Sequence, residues 1–168
     1  SMNFQEGYTT EINLQSGAWV HSLFDLMTEG TVFLIDYGMT EAEYFHPQRS
    51  QGTLKCFSKH KSNNDPFSDI GSQDITASVN FSNVARSAKE CGFEVAGYTT
   101  QSMFLISLGI ENYLKNEENE EKKVKIAQEI KQLVLPGAMG EVFKVMALSK
   151  KQSVKLDGFK ELDLRGRL

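Results

Sequence analysis

Between Gly30 and Gly38 the chain reads Gly-Thr-Val-Phe-Leu-Ile-Asp-Tyr-Gly, and no other stretch constrains the fold as much. Residues 31–35 are almost wholly β-branched, aromatic or aliphatic, with no polar alternation. That is the pattern of a strand covered on both faces inside a parallel α/β sheet. The run stops at an acid, an aromatic and a glycine. Ligands of open α/β sheets collect beyond the carboxyl ends of the strands, which places Asp36, Tyr37 and Gly38 at a functional rim. All three are also ordinary turn residues.

The segment before this strand is helical in its spacing. Ile12, Ala18, Trp19, Leu23, Leu26 and Met27 recur at intervals of an amphipathic helix over residues 9–28, and Gly30 stops it. Thr10 is the expected N-cap and Glu11 the first-turn acid favoured by the helix dipole. Helix, glycine and buried strand make one step of an α/β sheet.

Periodicity then disappears over residues 39–78, a connection far longer than usual. Its aromatics, Tyr44, Phe45 and Phe57, distinguish it from a flexible linker, so an ordered active-site or binding loop is expected. Within it residues 52–57 suit a short strand and Asp65-Pro66 a turn. His46 and His60, with Asp36 or Asp74, could be drawn as a metal-dependent hydrolase site, but their spacing matches no metal motif.

Helical spacing returns over residues 74–91 through Val79, Val84, Ala85 and Ala88, with Gly92 as the stop. Residues 93–99 read as a strand. Thr100 or Ser102 can cap a covered apolar helix over 102–114. The mixed charges of 116–125 mark an exposed connection and a helix start. Ile126, Ile130, Leu133 and Val134 continue that helix to Pro136-Gly137. Residues 142–148 form a last strand, and the tail 150–168 has no clear period and is expected to be partly disordered.

A length of 168 residues with 40% hydrophobic content is enough for one domain with a real core. The formal charge of -4 and pI near 5.4 disfavour nucleic acid and anionic membranes as partners. No apolar run approaches the roughly 20 residues that span a bilayer, and no signal-peptide pattern is present, so a soluble, cytoplasmic protein is expected. Cys56 and Cys91 form no CxxC pair, which suits free thiols better than a zinc site. Ser1-Met2 reads as a cloning remnant.

Six strings together carry a resemblance: Phe33-Leu34-Ile35-Asp36-Tyr37-Gly38, Tyr44-Phe45-His46-Pro47-Gln48-Arg49, Gly52-Thr53-Leu54, Gln73-Asp74-Ile75-Thr76, Gly97-Tyr98-Thr99-Thr100-Gln101 with Phe104-Leu105, and Met139-Gly140-Glu141 with Phe143-Lys144. In this order the chain resembles the MidA-like family of S-adenosylmethionine-dependent methyltransferases, which includes the mitochondrial complex I assembly factor, a protein arginine methyltransferase. The match runs from about Glu11 to Ser149.

In such an enzyme a glycine-rich turn after the first strand wraps the cofactor. Here no two glycines stand one residue apart, so the GxGxxG fingerprint cannot be placed. The family's Asn-Glu and Asp-Ala-Leu-Pro segment is absent too. The resemblance therefore implies an α/β fold that is the C-terminal half of a class I, Rossmann-like methyltransferase, over residues 1–149, with 39–78 as an inserted active-site loop. Strand 30–36 would be strand five, 93–99 strand six and 142–148 the antiparallel strand seven between them. By the same comparison S-adenosylmethionine belongs to the parent enzyme and is not expected to bind this chain tightly.

Methyl transfer to a guanidinium needs in-line approach and a nearby acid to orient the acceptor as its proton leaves. Carboxylates and aromatics suit that acceptor. The resemblance assigns Asp36, Tyr37, Glu11 and Asp74 to the catalytic side, and Tyr44, His46, Arg49, Thr53, His60, Thr76 and Gln101 to the acceptor. Which acid is the base is left open. Each has a structural alternative: Asp36 pinning the backbone, Asp74 capping a helix with Thr76, Gln101 satisfying buried amides. A protein acceptor is implied, a respiratory complex I subunit by family likeness, with the mitochondrial matrix as the alternative location. The competing reading is a protein-binding or dimerisation module without chemistry. Without strand four the run 31–35 becomes an open edge, so a homodimer or larger assembly is expected.

Overall fold

In the computed structural model, residues 4–58, 61–137, 139–153 and 155–168 are described. The chain opens as an extended segment that leads into helix α1, Ser16–Leu26. This is shorter than the expected 9–28. Asn13 is the reason: its carboxamide accepts from the Gln15 amide at 3.0 Å and its carbonyl from the Ser16 hydroxyl at 3.2 Å, a local turn that delays the helix. Thr10 therefore caps nothing and Glu11 lies outside the helix.

Strand β1, Gly30–Met39, runs three residues past Asp36, so Asp36, Tyr37 and Gly38 belong to the strand and not to a turn beyond it. The one-turn helix α2, Glu41–Tyr44, follows. The long loop is ordered as a three-stranded arm, β2 (Lys55–Ser58), β3 (Lys61–Asn63) and β4 (Asp74–Thr76), in the order β3-β2-β4. Strand β5, Val79–Asn80, then leads into α3, Phe81–Cys91. Asn80 caps α3 by accepting from the Asn83 amide, and Gly92 ends it at φ 105°. Asp74 and Thr76 lie in β4 and cap no helix.

Strand β6 spans Glu94–Thr100, and α4 begins at once as Gln101–Ser107, capped by Thr100. A single helix over 102–114 was expected. The run instead breaks at Gly109 and resumes as α5, Asn112–Lys115, with Ile106, Leu108 and Tyr113 exposed. Helix α6 is Glu120–Val134, α7 is Met139–Val142, and strand β7 is Phe143–Lys150.

The main sheet has the order β5-β1-β7-β6. β7 is antiparallel to both β1 and β6, while β5 pairs parallel with β1 only at Gly38 and Met39. One face carries α1 and α3, with Val20, Phe81, Val84, Ala88, Tyr98, Met146 and Leu148 as its core. The other carries α4 and the 3-10 turn Asp157–Phe159, packed on Val145 and Ala147. Residues 31–35 have β7 on one side and no strand partner on the other among the described residues. Phe33 and Ile35 are 44% and 53% exposed, so the run is not covered on both faces within this chain.

The tail is ordered where the sequence suggested disorder. Phe159 is buried, stacked edge-on to Phe104 at 5.3 Å. Leu164 and Leu168 pack against the first core, the Leu164 amide donates to the Tyr98 carbonyl at 2.7 Å, and Arg165 Nη1 donates to the Val95 carbonyl at 3.0 Å. The tail thus lies along the outer side of β6. Val154 lies outside the described residues.

Candidate functional site

A groove of about 460 Å³ opens where β1 and β5 end, between the segment before α1, helix α2 and the first turns of α3. Glu11, Glu41, Tyr44, Phe45, Asn80 and Arg86 line it. Its wall is knotted by one carboxylate. Glu11 Oε1 accepts from the Tyr44 hydroxyl at 3.0 Å, from the Thr53 amide at 2.9 Å and from the Thr53 hydroxyl. The Thr53 hydroxyl oxygen in turn accepts from the Ser78 amide at 2.9 Å. One acid therefore joins the N-terminal segment, α2 and both roots of the arm.

Gly52 makes room for this knot. It sits at φ 71°, and a Cβ there would collide with the Glu11 carboxylate. Burial pushes the Glu11 pKa up, but the Thr53 hydroxyl and amide and the Tyr44 hydroxyl outweigh it and hold the carboxyl below its ordinary value. Burial, followed by the hydrogen bond to Glu11, raises the Tyr44 phenol to about 12. An ionised Glu11 with a lowered pKa is suited to projecting negative charge into the groove and poorly suited to taking a proton at neutral pH.

Tyr44 and Phe45 of the loop pack on the N-terminal segment and not on the helix that starts at Gln101. Tyr44 meets Phe45 at 5.1 Å, Phe45 meets Phe4 at 6.0 Å, and Phe4 stacks on Tyr8 at 4.5 Å. The Thr9 amide donates to the Ser50 carbonyl at 2.9 Å. Phe57 stays 45% exposed on the arm.

Helix α2 separates the groove from a second recess of about 290 Å³, lined by Thr40, Glu43, Tyr98, Thr100, Lys144 and Arg167. Thr40 and Glu43 form a capping box, with the Thr40 amide 3.0 Å from Glu43 Oε2. Burial and the Glu43 charge raise the Tyr98 phenol, whose buried oxygen has no hydrogen-bond partner among the described residues. Burial lowers the Lys144 pKa, and the charges of Glu43 and Glu141 oppose this.

The structure brings together Glu11, Tyr44 and Thr53 of the residues singled out from sequence. Asp36 is exposed and its Oδ1 accepts from the Tyr37 amide at 2.8 Å, the backbone pinning considered for it. It pairs in register with Lys144. Burial, with the Asp36 charge second, raises the Tyr37 phenol, and the Tyr37 ring meets Phe143 edge-on at 5.8 Å. Asp74 and Thr76 stand on the arm opposite Phe57 and Lys55. His46 is exposed, with Nδ1 accepting from the Gln48 amide at 3.3 Å, and Arg49 Nε donates to the Glu43 carbonyl at 3.2 Å. Gln101 is buried and donates to the Leu133 carbonyl at 3.0 Å, tying α4 to α6. His60 lies outside the described residues. Among the described residues no three of His, Cys, Asp and Glu converge as metal ligands do.

Glu41, Glu43, Asn80 and Arg86 were not anticipated. Thr40-x-x-Glu43 is a readable capping signature hidden inside a loop. Glu41 and Arg86 are 45 residues apart and meet only through the fold.

Among the described residues no strand of the main sheet runs into a glycine-rich turn of the kind that wraps S-adenosylmethionine. β1 leads through the Thr40 capping box into α2 and not into a glycine turn, and no GxG is present. Among the described residues no helix is long and apolar enough to cross a membrane.

No curated protein matches the chain. Two crystal structures from Burkholderia thailandensis do, both at 36% identity and over 99% of this chain. One, described as a "likely methyl transferase" bound to S-adenosyl-homocysteine, has a TM-score of 0.94 and is covered over 43% of its length. The other, a native structure of a protein of the same superfamily, has a TM-score of 0.95 and is covered over 45%. The chain thus spans less than half the length of these relatives. The family described as "putative S-adenosyl-L-methionine-dependent methyltransferase" matches residues 1–99 of the 168, and with them β1, the Glu11 knot and the groove. The chain belongs to this S-adenosyl-L-methionine-dependent methyltransferase family.

Proposed function

We propose that this chain forms the acceptor side of an S-adenosylmethionine-dependent protein arginine methyltransferase, contributing strands five, seven and six of a Rossmann-like sheet. The groove at the ends of β1 and β5 carries this reading. Two carboxylates, Glu11 and Glu41, and two aromatic rings, Tyr44 and Phe45, meet there. Carboxylates bind a guanidinium through paired hydrogen bonds, and rings hold it by cation–π attraction. The order β1-β7-β6, with β7 antiparallel, agrees with the strands the family resemblance implies. The relative bound to S-adenosyl-homocysteine is covered over 43% of its length, which leaves room for a cofactor cradle outside these residues.

When bound, S-adenosylmethionine supplies a methyl group on a sulfonium. This chain's part is to hold and orient the acceptor. Glu11 fixes the groove wall and stays ionised, and α2 presents Glu41.

The test is intact mass of an arginine peptide after incubation with isotopically labelled S-adenosylmethionine. A protein of the relatives' length that contains this chain should add one labelled methyl group. The 168-residue chain alone should add none and should show no tight heat of binding with the cofactor. A tight one-to-one complex would overturn the placement of the cradle, and transfer to lysine or glutamine peptides in preference to arginine would overturn the acceptor class.

A second reading, a dimerising module without chemistry, draws on a separate observation. The edge 31–35 is open, Phe33 and Ile35 are exposed on it, and Trp19 and Leu26 are exposed on α1.

A further inference from the structure

The proposed acceptor groove already contains a guanidinium. Arg86 Nη2 lies 2.5 Å from Glu41 Oε2, and both side chains line the groove. The backbone that carries the carboxylate is held in place independently of the arginine. The Glu41 amide donates to the Ser82 hydroxyl oxygen at 2.9 Å, and the Thr40–Glu43 capping box fixes the turn on which Glu41 stands. The arginine is not held in the same way. Its side chain is 55% exposed, and among the described residues its only hydrogen bond is the one to Glu41.

We propose that Glu41 is the specificity-determining carboxylate of the acceptor groove, and that Arg86 is its resident stand-in, displaced when an arginine side chain of the acceptor enters. This rests on the reading above and names the group that recognises the acceptor. An exposed ion pair contributes little to stability, so exchanging one guanidinium for another across Glu41 costs little. The entering group finds the rings of Tyr44 and Phe45, whose faces attract a cation, and the fixed negative charge of Glu11. A lysine ammonium matches a carboxylate less well, because only the planar guanidinium offers two parallel donors to its two oxygens. Arg86 then turns outward into solvent, which its exposure allows.

The test uses the whole chain and acetyl-arginine-amide as probe, followed by amide chemical shifts on titration. Arg86→Gln keeps most of the stem and removes the competitor, so the probe should bind about two- to five-fold tighter than to wild type. Glu41→Gln placed on Arg86→Gln should abolish that gain, and acetyl-lysine-amide should show no comparable gain on Arg86→Gln. Unchanged affinity in Arg86→Gln would overturn the proposal. So would a gain that survives Glu41→Gln, or an equal gain with the lysine probe. Both substitutions are at partly exposed positions, and unchanged shifts for the buried Tyr98 and Met146 amides would show that the variants are folded. Binding is read without methyl transfer, so a failed transfer assay with an intact Arg86→Gln effect would reject the enzyme reading and keep the arginine site.

Discussion

The Thr53 amide donates to both carboxylate oxygens of Glu11, at 2.9 and 3.1 Å, across 42 residues of chain. This contact is the junction between the N-terminal segment and the arm, and its strength depends on the charge of the acid. In Glu11→Gln the carboxylate becomes an amide, which keeps one acceptor and loses the charge-assisted character of the bonds. We expect a loss of about 1–2 kcal/mol, read from the midpoint of urea unfolding. The sign with pH follows from the lowered pKa. The folded carboxyl ionises below its ordinary value of 4.5, so its contribution is fully present above that value and is lost as pH falls through the folded pKa. Wild type should lose stability on going from about pH 6 to pH 3 by more than Glu11→Gln does. Equal losses would show that the knot contributes nothing electrostatic.

Gly52→Ala attacks the same junction from the other side. The new methyl group would meet the Glu11 carboxylate and would sit on a backbone at φ 71°. The conformational part alone costs about 1 kcal/mol or more. Because the collision is with Glu11, the double variant with Glu11→Ala should be less destabilised than the sum of the singles. Strict additivity in a double-mutant cycle would place the cost of Gly52→Ala in the backbone alone.

Removing the Tyr98 hydroxyl should have the opposite sign. The ring is 1% exposed and packs on Phe81 at 5.4 Å, while its oxygen has no partner among the described residues. Burying an unsatisfied hydroxyl costs about 1–3 kcal/mol, so Tyr98→Phe should leave the chain as stable or raise its thermal midpoint by a few degrees. A clear loss of stability would mean that the hydroxyl has a partner in solution.

Self-association should depend on Phe33. It stands in the open edge of β1 with 44% of its surface exposed. A lysine there places a charge in an apolar edge, the device natural sheets use to block pairing. Sedimentation should shift from dimer toward monomer in Phe33→Lys. Wild-type chain that stays monomeric at all accessible concentrations would reject pairing through this edge.

Much of the sheet was legible because its strands are apolar runs: the order of β1, β7 and β6 follows from residues 30–36, 93–99 and 142–148 once the family is recognised. What the sequence hid was local polar chemistry. Asn13 shortened α1 through its own side chain, and that displaced Glu11 from a helix to a knot with Thr53. The helix expected from Asp74 starts at Phe81, because Asn80 outcompetes the earlier residues as a cap while 74–76 find partners in β2. Isolated apolar residues were equally misleading. Phe159 and Leu164 have no period, yet each fills one place in a core. The groove was half legible, since Glu11, Tyr44 and Thr53 carry motif positions, whereas Glu41 and Arg86 come together only when α2 docks on α3.

The tail along β6 has a consequence for how this sheet can grow. With the Tyr98 and Val95 carbonyls already taken by Leu164 and Arg165, the main sheet offers a newcomer, among the described residues, one long free edge, at residues 31–35. A ribbon with both edges free could add copies without end; one with a single free edge can be extended once. That place has room for one further strand, from elsewhere in a polypeptide or from the twin edge of a second copy, and the two are mutually exclusive, so association by this route would close at a pair.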